Sequence, residues 1–373
     1  MKTISWVFSL LVAMLTAIEV SSANDRVGNF ALLDHKGSYH QLRKYGDSKA
    51  LVIISTAASC IENIEKLPKY RLLRTTWERQ GVSFLAINSS SKDDLDSVRR
   101  MDVLHNVDLP ILMDTSQLVA ESLGLSKAGE IIVLEPQRFQ VLYRGGLDID
   151  PRRARPDRNI TAVKGTSFLS DILTAAVAGE LNPADGTIET PAVGCDLAFP
   201  MLDKHAMSTP DYATEVAPIL EEKCVTCHIE GGIAPFAMDS HMMVQGWSPM
   251  MKEVIMTKRM PPAQVDPSIN HFTNARYMEP SELQTLVHWI DAGAPRGGGE
   301  VDPLTRINKS ETLWELGEPD YVVEVPAFAV PATGVLDYEN VTINLPFKQD
   351  VWVKSVQHIP GDRKVLHHLL SYI

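Results

Sequence analysis

Ala50-Leu51-Val52-Ile53-Ile54-Ser55-Thr56-Ala57-Ala58-Ser59-Cys60 opens on an apolar run, Ala50 to Ser55, whose length and β-branched content read as a strand. Ser83 to Asn88, Pro110 to Met113, Glu130 to Leu134 and Gln140 to Tyr143 follow the same pattern. Helical periodicity lies between these runs. Ile64, Leu67, Tyr70, Leu72, Leu73 and Trp77 suit a first helix, Leu95 to Met101 a second and Leu118 to Leu123 a third. Strands that alternate with helices predict an α/β sandwich. Lys164 to Ala178 closes it as a helix, and Asn182-Pro183-Ala184-Asp185-Gly186 begins a linker. The expected domain spans residues 24–180, and residues 181–207, with Cys195, lead out of it.

Cys224-Val225-Thr226-Cys227-His228 sets the chemistry of the next segment. Two thiols three positions apart, followed at once by a histidine, form the attachment site of a covalent c-type haem. Each thiol adds to one porphyrin vinyl group, and the adjacent imidazole is then held under the iron. Zinc sites and dithiol redox sites also use Cys-x-x-Cys. A zinc site wants a second ligand pair, which the isolated Cys60 and Cys195 do not supply, and a dithiol site has no use for His228. Haem c is the expected cofactor, with Cys224 and Cys227 as thioethers and His228 on the iron.

The chain has 373 residues, 45% hydrophobic and 22% charged, which predicts two or three folded domains. Its net charge of -12 argues against nucleic acid, which needs clustered Lys and Arg. Acidity suits solubility and basic redox partner proteins. The basic cluster Arg152, Arg153, Arg155 and Arg158 is interrupted by Pro151 and Pro156 and reads as an exposed loop. Lys2, the apolar run Val7 to Ala17 and the small residues Ser21-Ser22-Ala23 read as a secretory signal peptide over residues 1–23. No later segment approaches ~20 continuous apolar residues, so no membrane span is expected after cleavage. A periplasmic or secreted location follows. It agrees with haem attachment outside the bacterial cytoplasm and lets a disulfide persist.

Ser55-Thr56-Ala57-Ala58-Ser59-Cys60 resembles the thioredoxin-like redoxin superfamily, which carries a cysteine where a buried strand gives way to a helix. The resemblance implies a thioredoxin-like α/β fold and a nucleophilic Cys60, since a helix N-terminus stabilises a thiolate. Three positions depart from it. Asn63 stands where the second cysteine of a Cys-x-x-Cys would be, and Ala57 where a Thr or Ser would activate peroxide. Ser126-Lys127-Ala128-Gly129 lacks the proline that thioredoxins place opposite the cysteine. Ordinary thioredoxin or peroxidase activity is therefore not expected, and Cys60 is open to two readings, a redox cysteine or a small buried scaffold residue. Similar fusion proteins carry a Gly-Cys after this domain, as Gly194-Cys195 does here, which implies a long-range redox pair of Cys60 and Cys195.

Thr209 to Lys223 reads as an amphipathic helix with Ser208 or Thr209 as N-cap, Pro210 in its first turn and Val216, Ile219 and Leu220 on one face. A helix that delivers Cys-x-x-Cys-His resembles class I cytochromes c. So does Glu282 to Gly293, a helix with Leu283, Leu286, Val287 and Ile290 on its buried side, Ser281 as cap and Gly293 at its end. The resemblance implies an all-α domain over residues 208–297 that transfers single electrons. Gly232-Ile233-Ala234-Pro235 is expected to turn the Pro235 carbonyl onto the second imidazole nitrogen of His228, with Ile233, Pro235 and Phe236 walling the haem. The resemblance points to Met260, in Lys258-Arg259-Met260-Pro261-Pro262, as the second axial ligand, and His241, His271 and His288 are the alternatives.

After Gly297-Gly298-Gly299 the composition turns to Val, Pro and aromatic residues. Tyr321 to Val325, Tyr338 to Leu345, Val351 to Gln357 and Val365 to Ile373 read as strands of a partial antiparallel β-sandwich over residues 305–373. Trp314-Glu315-Leu316-Gly317-Glu318-Pro319-Asp320, Trp352-Val353-Lys354 and Pro360-Gly361-Asp362-Arg363-Lys364-Val365-Leu366-His367-His368 resemble the N-terminal domain of copper type II ascorbate-dependent monooxygenases. That resemblance implies copper at His367 and His368, in a domain that the chain carries only in part. The expectation is an oxidoreductase-type, exported haem protein that passes electrons towards a copper monooxygenase-like module. The alternatives are a fragment of a copper-dependent hydroxylase and a thiol-based sensor or binding protein using Cys60 and Cys195.

Overall fold

The computed structural model describes residues 26–147, 168–182, 186–262, 272–273, 275–307, 314, 316–334, 336–362, 364–366 and 369–372. The expected signal segment, the arginine cluster at 152–158, His271, His367 and His368 lie outside them. A hairpin of β1 (Ala31–Leu33) and β2 (Tyr39–Gln41) leads into β3 (Ala50–Thr56), which is buried along its whole length. Then come α1 (Ile61–Ile64), α2 (Leu67–Trp77), β4 (Val82–Asn88), α3 (Leu95–His105) and β5 (Ile111–Met113). After these follow α4 (Leu118–Leu123), β6 (Ile131–Glu135), β7 (Gln140–Gly145) and α5 (Phe168–Ala178).

With β8 (Ile188–Glu189) at one edge, the main sheet has the order β5-β4-β3-β6-β7-β8, with β3, β4 and β5 parallel and β6 antiparallel to both β3 and β7. Successive side chains of a strand face opposite ways. Val52, Ile54, Phe84 and Ala86 therefore pack on one face with Leu67 and Tyr70 of α2, Val98 of α3 and Leu169 of α5. Leu51, Ile53, Leu85 and Ile87 pack on the other with Val119, Ala120 and Leu123 of α4. Both faces are covered, which is why β3 reads as an unbroken apolar run.

The stretch expected to be a linker over 181–207 belongs to the fold. β8 (Ile188–Glu189) pairs in parallel with β7, Asp196 bridges to Lys127, and α6 (Pro200–Met207) follows. Sheet-edge pairing uses backbone groups that every residue carries, so a polar, proline-containing segment can add to an edge without an apolar signature.

Among the described residues, the second half packs four helices. α6 is followed by α7 (Ala217–Leu220), which wider π-helical turns at Tyr212–Val216 and Glu221–Val225 continue at both ends, then α8 (His241–Met256) and α9 (Pro280–Asp291). The cap expected at Ser208 or Thr209 is supplied by Asp211, whose carboxylate accepts from the Thr214 amide at 2.9 Å and hydroxyl at 2.8 Å. α9 is capped by Glu279 rather than Ser281, in a reciprocal box with Glu282. Tyr212, Val216, Leu220, Val244, Leu286, Val287 and Trp289 form the core.

The β-sandwich expected over 305–373 is not shown: the described residues from Trp314 to Tyr372 carry no strand. Trp352, Tyr338 and Tyr372 are exposed. Val and aromatic residues favour a strand only where a partner edge and a covered face exist, and neither is present among the described residues of this stretch. No helix among the described residues is long and apolar enough to cross a membrane.

Candidate functional site

Two cysteine sites stand apart in the fold. The first lies where β3 ends. Thr56 closes the strand, and Cys60 takes the N-cap position of α1 with extended backbone geometry. Its sulfur is bonded to that of Cys195, across 135 residues of sequence. Cys60 is 1% exposed and Cys195 half-buried, and both pack on Ala57 and Ala128.

Cys195 reaches the site because its segment is strapped to the loop before β6. The Ala128 amide donates to the Cys195 carbonyl at 2.9 Å, the Leu197 amide to the Ser126 carbonyl at 2.9 Å, and Lys66 Nζ to the Val193 carbonyl at 2.5 Å. Lys127 and Asp196 form an ion pair over the same join. Gly194 lies so close that a Cβ there would overlap the Ala128 carbonyl oxygen. The small Ala128 side chain packs against the two cysteines and leaves room for the strap. Glu62, on the outer side of α1, brings a carboxylate oxygen within 4.8 Å of both sulfurs.

The second site is the turn after α7. The Cys227 and His228 amides both donate to the Cys224 carbonyl, at 3.1 and 3.0 Å, so Cys224, Cys227 and His228 share one tight turn. Cys224 and Cys227 are free thiols. Burial, then the neighbouring Cys227, pushes the Cys224 thiol up to about 12. His228 is buried, and that burial holds its pKa below the ordinary histidine value.

His228 Nδ1 donates to the Phe236 carbonyl at 3.0 Å, which corrects the expectation of Pro235 by one residue. The Ala234 amide turns back onto the Cys227 carbonyl at 3.3 Å and the Met238 amide onto the His228 carbonyl at 2.8 Å, and this double closure rotates Phe236, not Pro235, over the ring. The Phe236 ring lies 4.6 Å from the imidazole and stacks on Trp247. A cavity of about 400 Å³ is lined by Ile229, Gly232, Ile233, Pro235 and Phe236.

The donor set fits a covalently attached haem. Two thiols and an imidazole come off one turn, and the carbonyl on Nδ1 leaves Nε2 as the nitrogen for iron. Met260 follows α8 on an exposed loop, its amide donating to the Val254 carbonyl at 3.2 Å. Of the alternative axial ligands, His241 is taken up by the core, with Nε2 on the Ala294 carbonyl at 2.9 Å.

His288 is used between the two halves of the molecule, a role its sequence position gives no hint of. Its Nε2 donates to Glu121 of α4 at 2.7 Å, and its Nδ1 faces His205 Nδ1 of α6 at 2.7 Å. His205 Nε2 is buried without a partner among the described residues. Burial, then His288, holds the pKa of His205 below the ordinary value. With the Nε2 proton of His288 on Glu121, His288 Nδ1 accepts from His205, and a second proton on His205 would lie at the orphaned nitrogen.

Above about pH 6.5 both folded and unfolded chains hold neutral imidazoles, and the contact is fully present. As the pH falls below that value the unfolded chain takes up a proton that folded His205 refuses, so stability is lost. Urea titrations between pH 7.5 and 5 are expected to show this loss. In His205→Gln the slope should be shallower, and an unchanged slope would exclude His205 as its source.

The sequence profile of the AhpC/TSA family matches residues 23–148. No curated protein matches the chain. Among solved structures, a hypothetical protein from Sinorhizobium meliloti 1021 is similar at 23% identity over 46% of this chain and 91% of its own, with a TM-score of 0.38. An uncharacterized conserved protein from Geobacillus kaustophilus aligns at 22% identity over 47% of this chain and 90% of its own, with a TM-score of 0.38. Peroxidoxin BcpB from Mycobacterium tuberculosis aligns at 17% identity over 43% and 97%, with a TM-score of 0.32. The profile match falls on the part of the chain that carries β1 to β7 and Cys60, and this part is a thioredoxin-like redoxin domain of the AhpC/TSA family.

Proposed function

We propose that this chain is a thiol–disulfide redox protein whose reversible couple is Cys60–Cys195. The observation that supports the reading is a sulfur–sulfur bond at the strand-to-helix junction of a redoxin domain, with one sulfur buried and the other half-buried. A partner dithiol attacks the more accessible Cys195 sulfur, Cys60 leaves as thiolate, and the partner's second thiol resolves the mixed disulfide. Two electrons and two protons reach the Cys60–Cys195 pair, and the partner leaves as a disulfide. Asn63 at the second position of the local motif means that the second sulfur of the couple has to come from the strap.

A second redox centre joins this one in the proposal: haem c held by Cys224 and Cys227, with His228 and Met260 as axial ligands. The turn geometry and the Phe236 carbonyl on His228 support it. When bound, the haem supplies a one-electron iron couple. The chain's own part is to orient the His228 ring and to wall off water with Ile233, Pro235 and Phe236. We place the protein outside the cytoplasm, on the sequence of residues 1–23, and take the recipients of its electrons to be redox partner proteins or copper at His367 and His368.

One preparation tests both centres. The exported protein is expected to give a Cys60–Cys195 cross-linked peptide that dithiothreitol opens and reoxidation restores. It is also expected to show a c-type pyridine haemochrome spectrum that Cys224→Ala/Cys227→Ala abolishes. Free Cys60 and Cys195 throughout would sink the thiol couple, and absence of the covalent haem spectrum would sink the second centre.

A further inference from the structure

Asn63 is fully buried on α1, one turn after Cys60. Its amide oxygen is committed: it accepts from Thr56 Oγ1 at 2.6 Å and from the Ala57 amide at 3.3 Å. Those two donors fix which way the amide points. The nitrogen must face the opposite side, and there it is buried with no hydrogen-bond partner among the described residues. It lies 3.8 Å from where a Cβ of Gly129 would stand, beside the Ala128 residue whose amide donates to the Cys195 carbonyl. A buried donor left without an acceptor is destabilising, and in a native fold it calls for an explanation, use in another redox state being one.

The oxidised state offers Asn63 no good acceptor, because a disulfide sulfur accepts weakly. Opening the bond changes that. The Cys60 thiolate is a charged acceptor one helical turn away, on the face of α1 that meets Ala128.

We infer that Asn63 Nδ2 is the hydrogen-bond donor to the Cys60 thiolate in the reduced protein, and that it thereby makes Cys60 the leaving sulfur when a dithiol opens the Cys60–Cys195 bond. The inference rests on the thiol couple proposed above and adds to it the residue that sets its direction. A thiolate stabilised in place leaves faster, so attack is steered to Cys195. The other charged groups around the couple are the Glu62 carboxylate, which opposes the thiolate, Lys66 on the strap carbonyl, and the Lys127–Asp196 pair.

The test measures the Cys60 thiol in full-length Cys195→Ser protein. The pH dependence of iodoacetamide labelling is read on the Cys60 peptide alone, so that Cys224 and Cys227 do not contribute. Asn63→Ala is expected to raise the pKa of Cys60 by about 1 to 2, the value of one hydrogen bond to a charged group. In the protein that keeps both cysteines, the same change should slow reduction by dithiothreitol several-fold. Thr56→Val disturbs the same packing and keeps the Asn63 donor, oriented by the Ala57 amide alone, so any rise in its Cys60 pKa should be clearly smaller than that in Asn63→Ala.

An unchanged pKa in Asn63→Ala overturns the inference. So does an equal rise in Asn63→Ala and Thr56→Val, which would make Asn63 a packing residue only. Failure of the parent to form the Cys60–Cys195 bond would count against the thiol couple instead, and the labelling comparison would still decide the part played by Asn63.

Discussion

Gly194→Ala is expected to yield a protein with free thiols at Cys60 and Cys195 and an unfolding free energy lower by several kcal/mol. The added methyl would occupy the space of the Ala128 carbonyl oxygen, and that oxygen belongs to the backbone loop that anchors the strap. Neither side can swing away as a flexible side chain would, so the 193–197 segment must lift. Lifting it breaks the Ala128–Cys195 and Leu197–Ser126 hydrogen bonds together and withdraws the Cys195 sulfur.

The lost bond closes a loop of 135 residues, for which chain entropy sets an upper contribution of about 5 kcal/mol. Thiol counting and guanidinium titration, with Cys195→Ser as the reference for loss of the bond alone, check the result. Gly194→Ala should be at least as destabilised as Cys195→Ser, because it also loses the docking hydrogen bonds. Quantitative disulfide formation in Gly194→Ala at unchanged stability would show that the strap does not need this approach.

Trp289→Ala is expected to cost about 3–5 kcal/mol and to dismantle the helical half of the molecule. Trp289 is 0% exposed, stacks on Tyr212 with ring centres 5.7 Å apart, and donates from its indole nitrogen to the Pro295 carbonyl at 2.9 Å. It therefore joins α9 to the turn that begins the helix carrying Cys224. Its neighbour His288 ties the same helix to α4 of the redoxin domain. Near-ultraviolet circular dichroism and urea titration are the measurements. Loss confined to the 200–306 region, with the redoxin transition intact, would be the signature of a helical unit that folds around this residue. Trp289→Phe keeps the stack and loses the hydrogen bond, and should cost nearer 1 kcal/mol. Equal losses for Ala and Phe would place the weight on the indole hydrogen bond instead of on volume.

Five strand segments and three helices of the redoxin domain were legible from apolar runs and their spacing, within a few residues of their observed ends, because burial on both faces writes itself into side-chain type. Capping was less legible. Ser208, Thr209 and Ser281 are all acceptable cap residues by type, yet Asp211 and Glu279 hold the positions, since several polar residues compete and the chain direction decides among them. The shift from Pro235 to Phe236 has the same origin: which carbonyl meets His228 depends on two turn hydrogen bonds, not on composition. The strands expected after Tyr321 had the right residues and find no partner edge among the described residues.

Local sequence alone determined the redoxin sheet, the tight turn that groups Cys224, Cys227 and His228, and the position of Cys60 at a strand-to-helix junction. These depend on contacts within a few residues or on repeating burial. Only the tertiary structure decided that residues 186–199 complete the sheet and bring Cys195 onto Cys60, that His205, His288 and Glu121 meet between the two halves, and that Asn63 is left with a buried, unpaired donor. Each of those joins groups separated by long stretches of chain, or depends on what a neighbour leaves unsatisfied, and residue type and spacing do not encode either.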